Sequence, residues 1–190
     1  MEKLKNRIRE DGIVLDGNIL KVSSFLNHQI DVALLDDMAA EIIRLFKGKN
    51  ITKVLTIESS GIAIACAVAR ILKVPAVFCK KNKSSNVPED VHCVKIHSFT
   101  HNKDFNVIVS KQFISNEDSI LVVDDFLANG CALEGLAALI EAAGAEFVGA
   151  GICIEKGFQG GGDRLREKGL NIQSLAIVES MDEDGIKFRD

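Results

Sequence analysis

The chain has no tryptophan and no tyrosine among its 190 residues, so aromatic surface must come from ten phenylalanines. Only two prolines are present, which argues against a proline-rich linker or a disordered tail. Basic residues are not in excess: 23 Lys and Arg stand against 27 Asp and Glu, a net charge of −4. Proteins that grip a nucleic acid backbone are usually basic, so no nucleic-acid partner is expected. The longest apolar runs, around Ile62–Ala69 and Leu136–Ala145, fall far short of a membrane span. The opening segment MEKLKNRIREDG has no apolar run of signal-peptide length, and no membrane partner is expected. CxxC pairs are also missing. Cys66, Cys79, Cys93, Cys131 and Cys153 are odd in number and widely spaced, which reads as buried, reduced thiols in a cytoplasmic protein.

What is present is an alternation of two patterns, on a chain long enough to bury one core as a single domain over 1–190. Leu34, Leu35, Met38, Ala39, Ile42, Ile43 and Phe46 recur at helical spacing, with Gly48 as a stop. Ile51–Glu58, Pro75–Lys80, Ile120–Asp124, Phe147–Ile154 and Ile172–Val178 read as strands. Helices fall at Ile62–Lys73, Cys131–Ala143 and Asp163–Lys168. Strands apolar along their whole length, alternating with helices, imply an α/β fold with a doubly wound, mostly parallel sheet. Ligands then bind at the carboxyl ends of the strands.

Two segments break the rhythm. Residues 13–33 carry short β-like runs and are expected to form an N-terminal hood. Residues 82–119 hold every histidine except His28 and read as a flexible loop, 82–90, followed by a β-arm folded out of the core.

Ile120–Ala132, ILVVDDFLANGCA, carries the chemistry. An apolar strand ends in Asp124 and Asp125, five loop residues follow, and a helix begins. Such a turn aims backbone N–H groups and the positive helix end at one point, which suits a monophosphate. Carboxylates at the strand tip are placed to accept hydrogen bonds from sugar hydroxyls. Paired acids in this position also serve as Mg²⁺ ligands in phospho-acceptor and phosphatase domains, or as helix N-caps.

ILVVDDFLANGCA resembles the phosphoribosyl-pyrophosphate (PRPP) signature of the type I phosphoribosyltransferases. Ala128, Asn129 and Ala132 stand where that family often has hydroxyl residues, which shifts phosphate binding toward backbone N–H groups and the Asn129 side chain. Glu58-Ser59-Ser60-Gly61 resembles the pyrophosphate loop, with Ser60 where many relatives carry Arg. Lys80 and Lys81 stand where relatives often use a basic residue against pyrophosphate, and residues 82–119 match the flexible flap. From VSSFLNHQID to CIEKGFQGGG the chain is similar to the bacterial, xanthine-using branch of the family, related to the adenine-using enzymes.

The resemblance implies transfer of the 5-phosphoribosyl group of PRPP to xanthine, giving xanthosine monophosphate (XMP) and pyrophosphate in purine salvage. It implies a catalytic pair Asp124 and Asp125, and PRPP contacts from Ala128, Asn129, Gly130, Cys131 and Ala132. Ser59, Ser60, Gly61 and Lys81 are expected at pyrophosphate, and Leu20, Asn27 and Lys156 at the base. Mg²⁺ is expected to arrive with PRPP, not in a dedicated protein site, and the assembly to be a homodimer. Lys156 has a physical reason to select xanthine, since an ammonium only donates and so rewards oxo groups over the 2-amino group of guanine. A guanine or hypoxanthine enzyme is the near rival. A PRPP-sensing regulator is the distant one, because no helix-turn-helix pattern precedes the core.

Other signals are weaker. His92, Cys93, His97 and His101 form no complete tetrahedral zinc set, and polar arm surface is the simpler reading. Phe158 reads equally as a stacking face or as core. Gln159-Gly160-Gly161-Gly162 lacks a P-loop's Lys-Ser/Thr and reads as a turn beside the base pocket. Glu155-Lys156 and Asp182–Asp184 read most simply as solvated charges.

Overall fold

Segments that are apolar from end to end line up as the centre of an eight-stranded sheet in the computed structural model, which describes residues 1–15, 19–82, 89–98, 103–182 and 185–189. In chain order the elements are α1 (Glu2–Asp11), β1 (Ile13–Leu15), β2 (Ile19–Lys21), α2 (Val32–Leu45), β3 (Lys53–Ile57), α3 (Gly61–Leu72), β4 (Ala76–Asn82), β5 (Val91–Ser98), β6 (Lys103–Ser110), β7 (Ser119–Leu127), α4 (Cys131–Ala142), β8 (Glu146–Lys156), α5 (Gly161–Glu167), β9 (Ile172–Asp182) and β10 (Gly185–Phe188). The sheet order is β10-β9-β8-β7-β3-β4-β6-β5, and β1 pairs only with β2. The five central strands are parallel, while β10, β6 and β5 add antiparallel edges.

That order contains a reversal. From β3 the chain first steps to β4 on one side, then returns to place β7 on the other. The loops after β3 and β7 therefore leave in opposite directions and open a crevice between their carboxyl ends, where open α/β sheets bind ligands.

Two packed layers cover the sheet. On one face, Leu34, Leu35, Met38, Ala39 and Ile42 of α2 join Ile64, Ala65 and Val68 of α3 in a core that also takes Leu4 and Ile8 of α1. Helix α2 starts at residue 32 because the Asp31 carboxylate accepts from Leu34 N (3.0 Å), satisfying an orphan first-turn donor. On the other face, Leu133, Leu136, Leu139 and Ile140 of α4 pack with Ile96, Val107 and Val109 of the arm.

Several expectations change. The strand through ILVVDD does not stop at the acids. Phe126 and Leu127 pair with Ile154 and Glu155 of the longer β8, so β7 continues and the loop shrinks to residues 128–130. The arm is not folded out of the core: Lys80 and Lys81 pair with Ile108 and Val107, and Ile96 is buried against α4 at Gly135. The hood is likewise rooted, with Val22, Phe25 and Leu26 buried in the first core. Phe158 is partly buried against that core. All five cysteines are free, but only Cys79 and Cys153 are buried; Cys66 and Cys93 are exposed. Among the described residues no helix is long and apolar enough to cross a membrane. Residues 83–88 of the expected loop, 16–18 of the hood, 99–102 with His101, and 183–184 lie outside the described residues.

Candidate active site

The crevice between β3 and β7 gathers most of the residues singled out from the sequence. Asp124 and Asp125 sit side by side on β7, with Asp125 N donating to Asp124 Oδ1 (2.9 Å). Burial and the neighbouring Asp125 charge push the Asp124 carboxyl well above the ordinary carboxylate range. Asn27 reaches across from the hood, and its Nδ2 donates to Asp125 Oδ2 (3.2 Å).

Beyond the acids, residues 128–130 make a tight turn into α4. Gly130 takes φ +85°, a left-handed conformation open to glycine at little cost. The Asn129 carboxamide oxygen accepts from Cys131 N (3.2 Å), so that side chain holds the turn's shape. A cavity of about 110 Å³ opens here, lined by Asp124, Ala128, Asn129, Gly130 and Ala132 among others. It is small, and lies at the N-terminal end of a 12-residue helix, an arrangement that favours an anion.

The turn after β3 closes the crevice from the other side. The peptide Glu58–Ser59 is cis, and Gly61 opens α3 so near β7 that a Cβ there would lie 2.9 Å from Asp124 Oδ1. Lys81 N donates to Glu58 Oε1 (2.7 Å), which ties this turn to the end of β4. The Lys81 charge pulls against the upward shift of Asp124, so the cation stands within electrostatic reach of the pair.

Lys156 ends β8. Its Nζ lies 5.7 Å from the centroid of the Phe126 ring, and burial lowers its pKa from the ordinary lysine value. Leu20 is 5% exposed and packs in the first core as part of the hood. The structure thus brings Asn27, Asp124, Asp125, Gly61 and the 128–132 loop into one neighbourhood, and places Lys156 beside Phe126 at its margin.

Sequence reasoning missed what lies behind Lys156. Glu155, read as solvated, is fully buried and pairs with Arg166 at 2.6 and 2.9 Å. An acid on an otherwise apolar strand needs a partner, and that requirement was the available signal. Gly160 turns in open space, while Gly161 packs closely on the 128–130 loop and Gly162 on Glu155.

The fold and this crevice define a phosphoribosyltransferase: residues 21–181 match the family model described as phosphoribosyl transferase domain, and the chain belongs to that family. Xanthine phosphoribosyltransferase of Lachnoclostridium phytofermentans is 56% identical over 191 residues, covering 100% of this chain and 98% of that protein. Xanthine phosphoribosyltransferase of Bifidobacterium adolescentis is 56% identical over 192 residues, covering 100% of both. Adenine phosphoribosyltransferase of Thermoanaerobacter pseudethanolicus shares the fold, with a TM-score of 0.74, 20% identity and coverage of 93% of this chain and 98% of that one.

Proposed function

We propose that the chain transfers the 5-phosphoribosyl group of PRPP to xanthine, forming XMP and pyrophosphate. The observation that carries the reading is the convergence at one switch point of an acid pair, a small cavity at the N-terminal end of α4 and a hood residue bonded to Asp125. The full-length similarity to xanthine phosphoribosyltransferases supports the base assignment.

In this reading the 128–132 loop holds the 5-phosphate through backbone N–H groups, and Asp124 and Asp125 accept hydrogen bonds from the ribose hydroxyls. The bond from ribose C1 to pyrophosphate breaks through an oxocarbenium-like state as a purine nitrogen attacks. The negative acid pair beside the sugar favours the positive charge that develops there. Ser59, Ser60, Gly61 and Lys81 face the pyrophosphate. The two adjacent carboxylates offer only hard oxygen donors, a set that suits Mg²⁺ carried by the substrate. When bound, that ion offsets the charge of the leaving pyrophosphate.

At the other end Leu20 offers an apolar surface to the base, Asn27 an amide that donates and accepts, and Lys156 a donor-only cation for the oxo groups of xanthine. The reading extends to a single-domain, cytoplasmic homodimer. Five free cysteines fit a reducing compartment. Sedimentation checks the oligomeric state.

The test is a competition assay with PRPP, Mg²⁺ and equal xanthine, guanine, hypoxanthine and adenine. XMP is expected to dominate. Another nucleotide moves the base assignment to a guanine or hypoxanthine enzyme, and no nucleotide at all points to a PRPP sensor. Lys156→Gln is expected to lower the preference for xanthine over guanine about tenfold or more, in keeping with a lost charged hydrogen bond; an unchanged preference removes Lys156 from selectivity.

A further inference from the structure

Helix α5 is short, yet it touches both ends of the crevice. Gly161 lies against the loop so closely that a Cβ there would stand 2.1 Å from the Ala128 carbonyl oxygen and 2.7 Å from Gly130 N. Arg164 Nη2 donates to the Asn129 carbonyl oxygen (3.2 Å), and the same guanidinium grips the Glu134 carboxylate of α4 at 3.0 and 3.2 Å. One planar group therefore ties the loop's backbone to the helix that follows it, a task suited to arginine's rigid fork.

Arg166 does different work. It pairs with buried Glu155 through both nitrogens, at 2.9 and 2.6 Å, and donates to the Ile172 carbonyl oxygen (3.2 Å). The Ser174 hydroxyl donates to the same carboxylate. Glu155 directly precedes Lys156, and neighbours on a strand point to opposite faces. Pinning Glu155 on one face therefore fixes the stance of Lys156 on the other.

We propose that α5 is a positioning element with two separate outputs: Arg164 sets the 128–132 loop for the 5-phosphate, and Arg166, through Glu155, sets Lys156 for the purine. The proposal rests on the phosphoribosyl-transfer reading given above. It assigns to residues outside the crevice separate effects on the two substrates, which a merely structural helix would not produce.

The experiment measures KM for each substrate independently, together with calorimetric titration by ribose 5-phosphate and by xanthine. Arg164→Met is expected to raise KM for PRPP and Kd for ribose 5-phosphate about tenfold, the scale of a lost charge-assisted pair, with KM for xanthine within about twofold. Arg164→Lys keeps the charge without the fork and is expected to recover only part of the loss. Arg166→Met combined with Glu155→Gln leaves no lone buried charge and is expected to raise KM for xanthine about tenfold, sparing PRPP. Should that double variant fail to fold, Ser174→Ala removes one donor to Glu155 and is expected to move xanthine KM the same way by about two- to threefold.

Variants that raise both KM values alike, or that leave both unchanged, overturn the proposal. A wild-type protein that forms no nucleotide overturns the reaction reading instead, and the two titrations then decide the proposal alone. A wild type that does not bind ribose 5-phosphate overturns the proposal outright.

Discussion

Two carboxylates on consecutive residues of a buried strand are an expensive arrangement. Because burial and Asp125 raise the Asp124 carboxyl, its contribution to stability is full below the ordinary value of 3.8 and is lost as the pH rises through the folded-state value. At neutral pH the pair weakens the fold. Asp124→Asn keeps an oxygen to accept from Asp125 N and is expected to raise the melting temperature while lowering turnover, the mark of a site that trades stability for activity. Asp125→Asn is expected to cut turnover on the order of 100-fold with an intact circular dichroism spectrum; unchanged turnover removes it from the mechanism. The thiols give a further test. Burial pushes Cys79 up to about 12 and also raises Cys153, whereas Cys66 and Cys93 are exposed. A thiol reagent at pH 8 is expected to label Cys66 and Cys93 quickly, and Cys79 and Cys153 only after unfolding. At this scale the candidate site was legible where chemistry is local: Asp124, Asp125, Asn129 and Gly130 announce themselves by type and spacing. Glu155 and Arg166 did not, since nothing local reveals that two charges eleven positions apart share one buried bond.

Among the elements, those with a strong hydrophobic period were readable and those completed by distant partners were not. Helix α2 shows five buried apolar positions and a capping aspartate, and its pattern is plain in the sequence. Helix α1 offers only Leu4 and Ile8 as buried positions among charged neighbours, too few to declare a helix before its partners are known. Both side chains are nevertheless fully buried, so Leu4→Ala is expected to cost about 2–5 kcal/mol, read as a lower denaturation midpoint at unchanged slope. The length of β7 was misjudged for a related reason. Two acids look like a strand end, yet pairing with β8 carries the ladder past them. The arm illustrates the same rule: its polar composition suggested an excursion, while Ile96, Val107 and Val109 supply enough apolar surface to bury it.

At the level of the whole molecule, the order of strands places the candidate site at the reversal between β3 and β7, and the hood is bound to it by the Asn27–Asp125 hydrogen bond. The hood shares its core with α1, and α1 in turn is held by residues 175–189 as well as by α2. The Met1 amino group donates to the Leu175 carbonyl oxygen, and Lys5 Nζ donates to the Arg189 carbonyl oxygen (3.2 Å). Arg9 lies over the Phe188 ring, 4.9 Å from its centroid. During synthesis, then, α1 emerges well before residues 172–189, which complete the packing that α2 begins. Closure between ends so far apart is slow. A nascent chain halted near residue 170 is expected to leave Leu4 and Ile8 more accessible to protease than in residues 1–190, even though both acids and the 128–132 loop have already emerged.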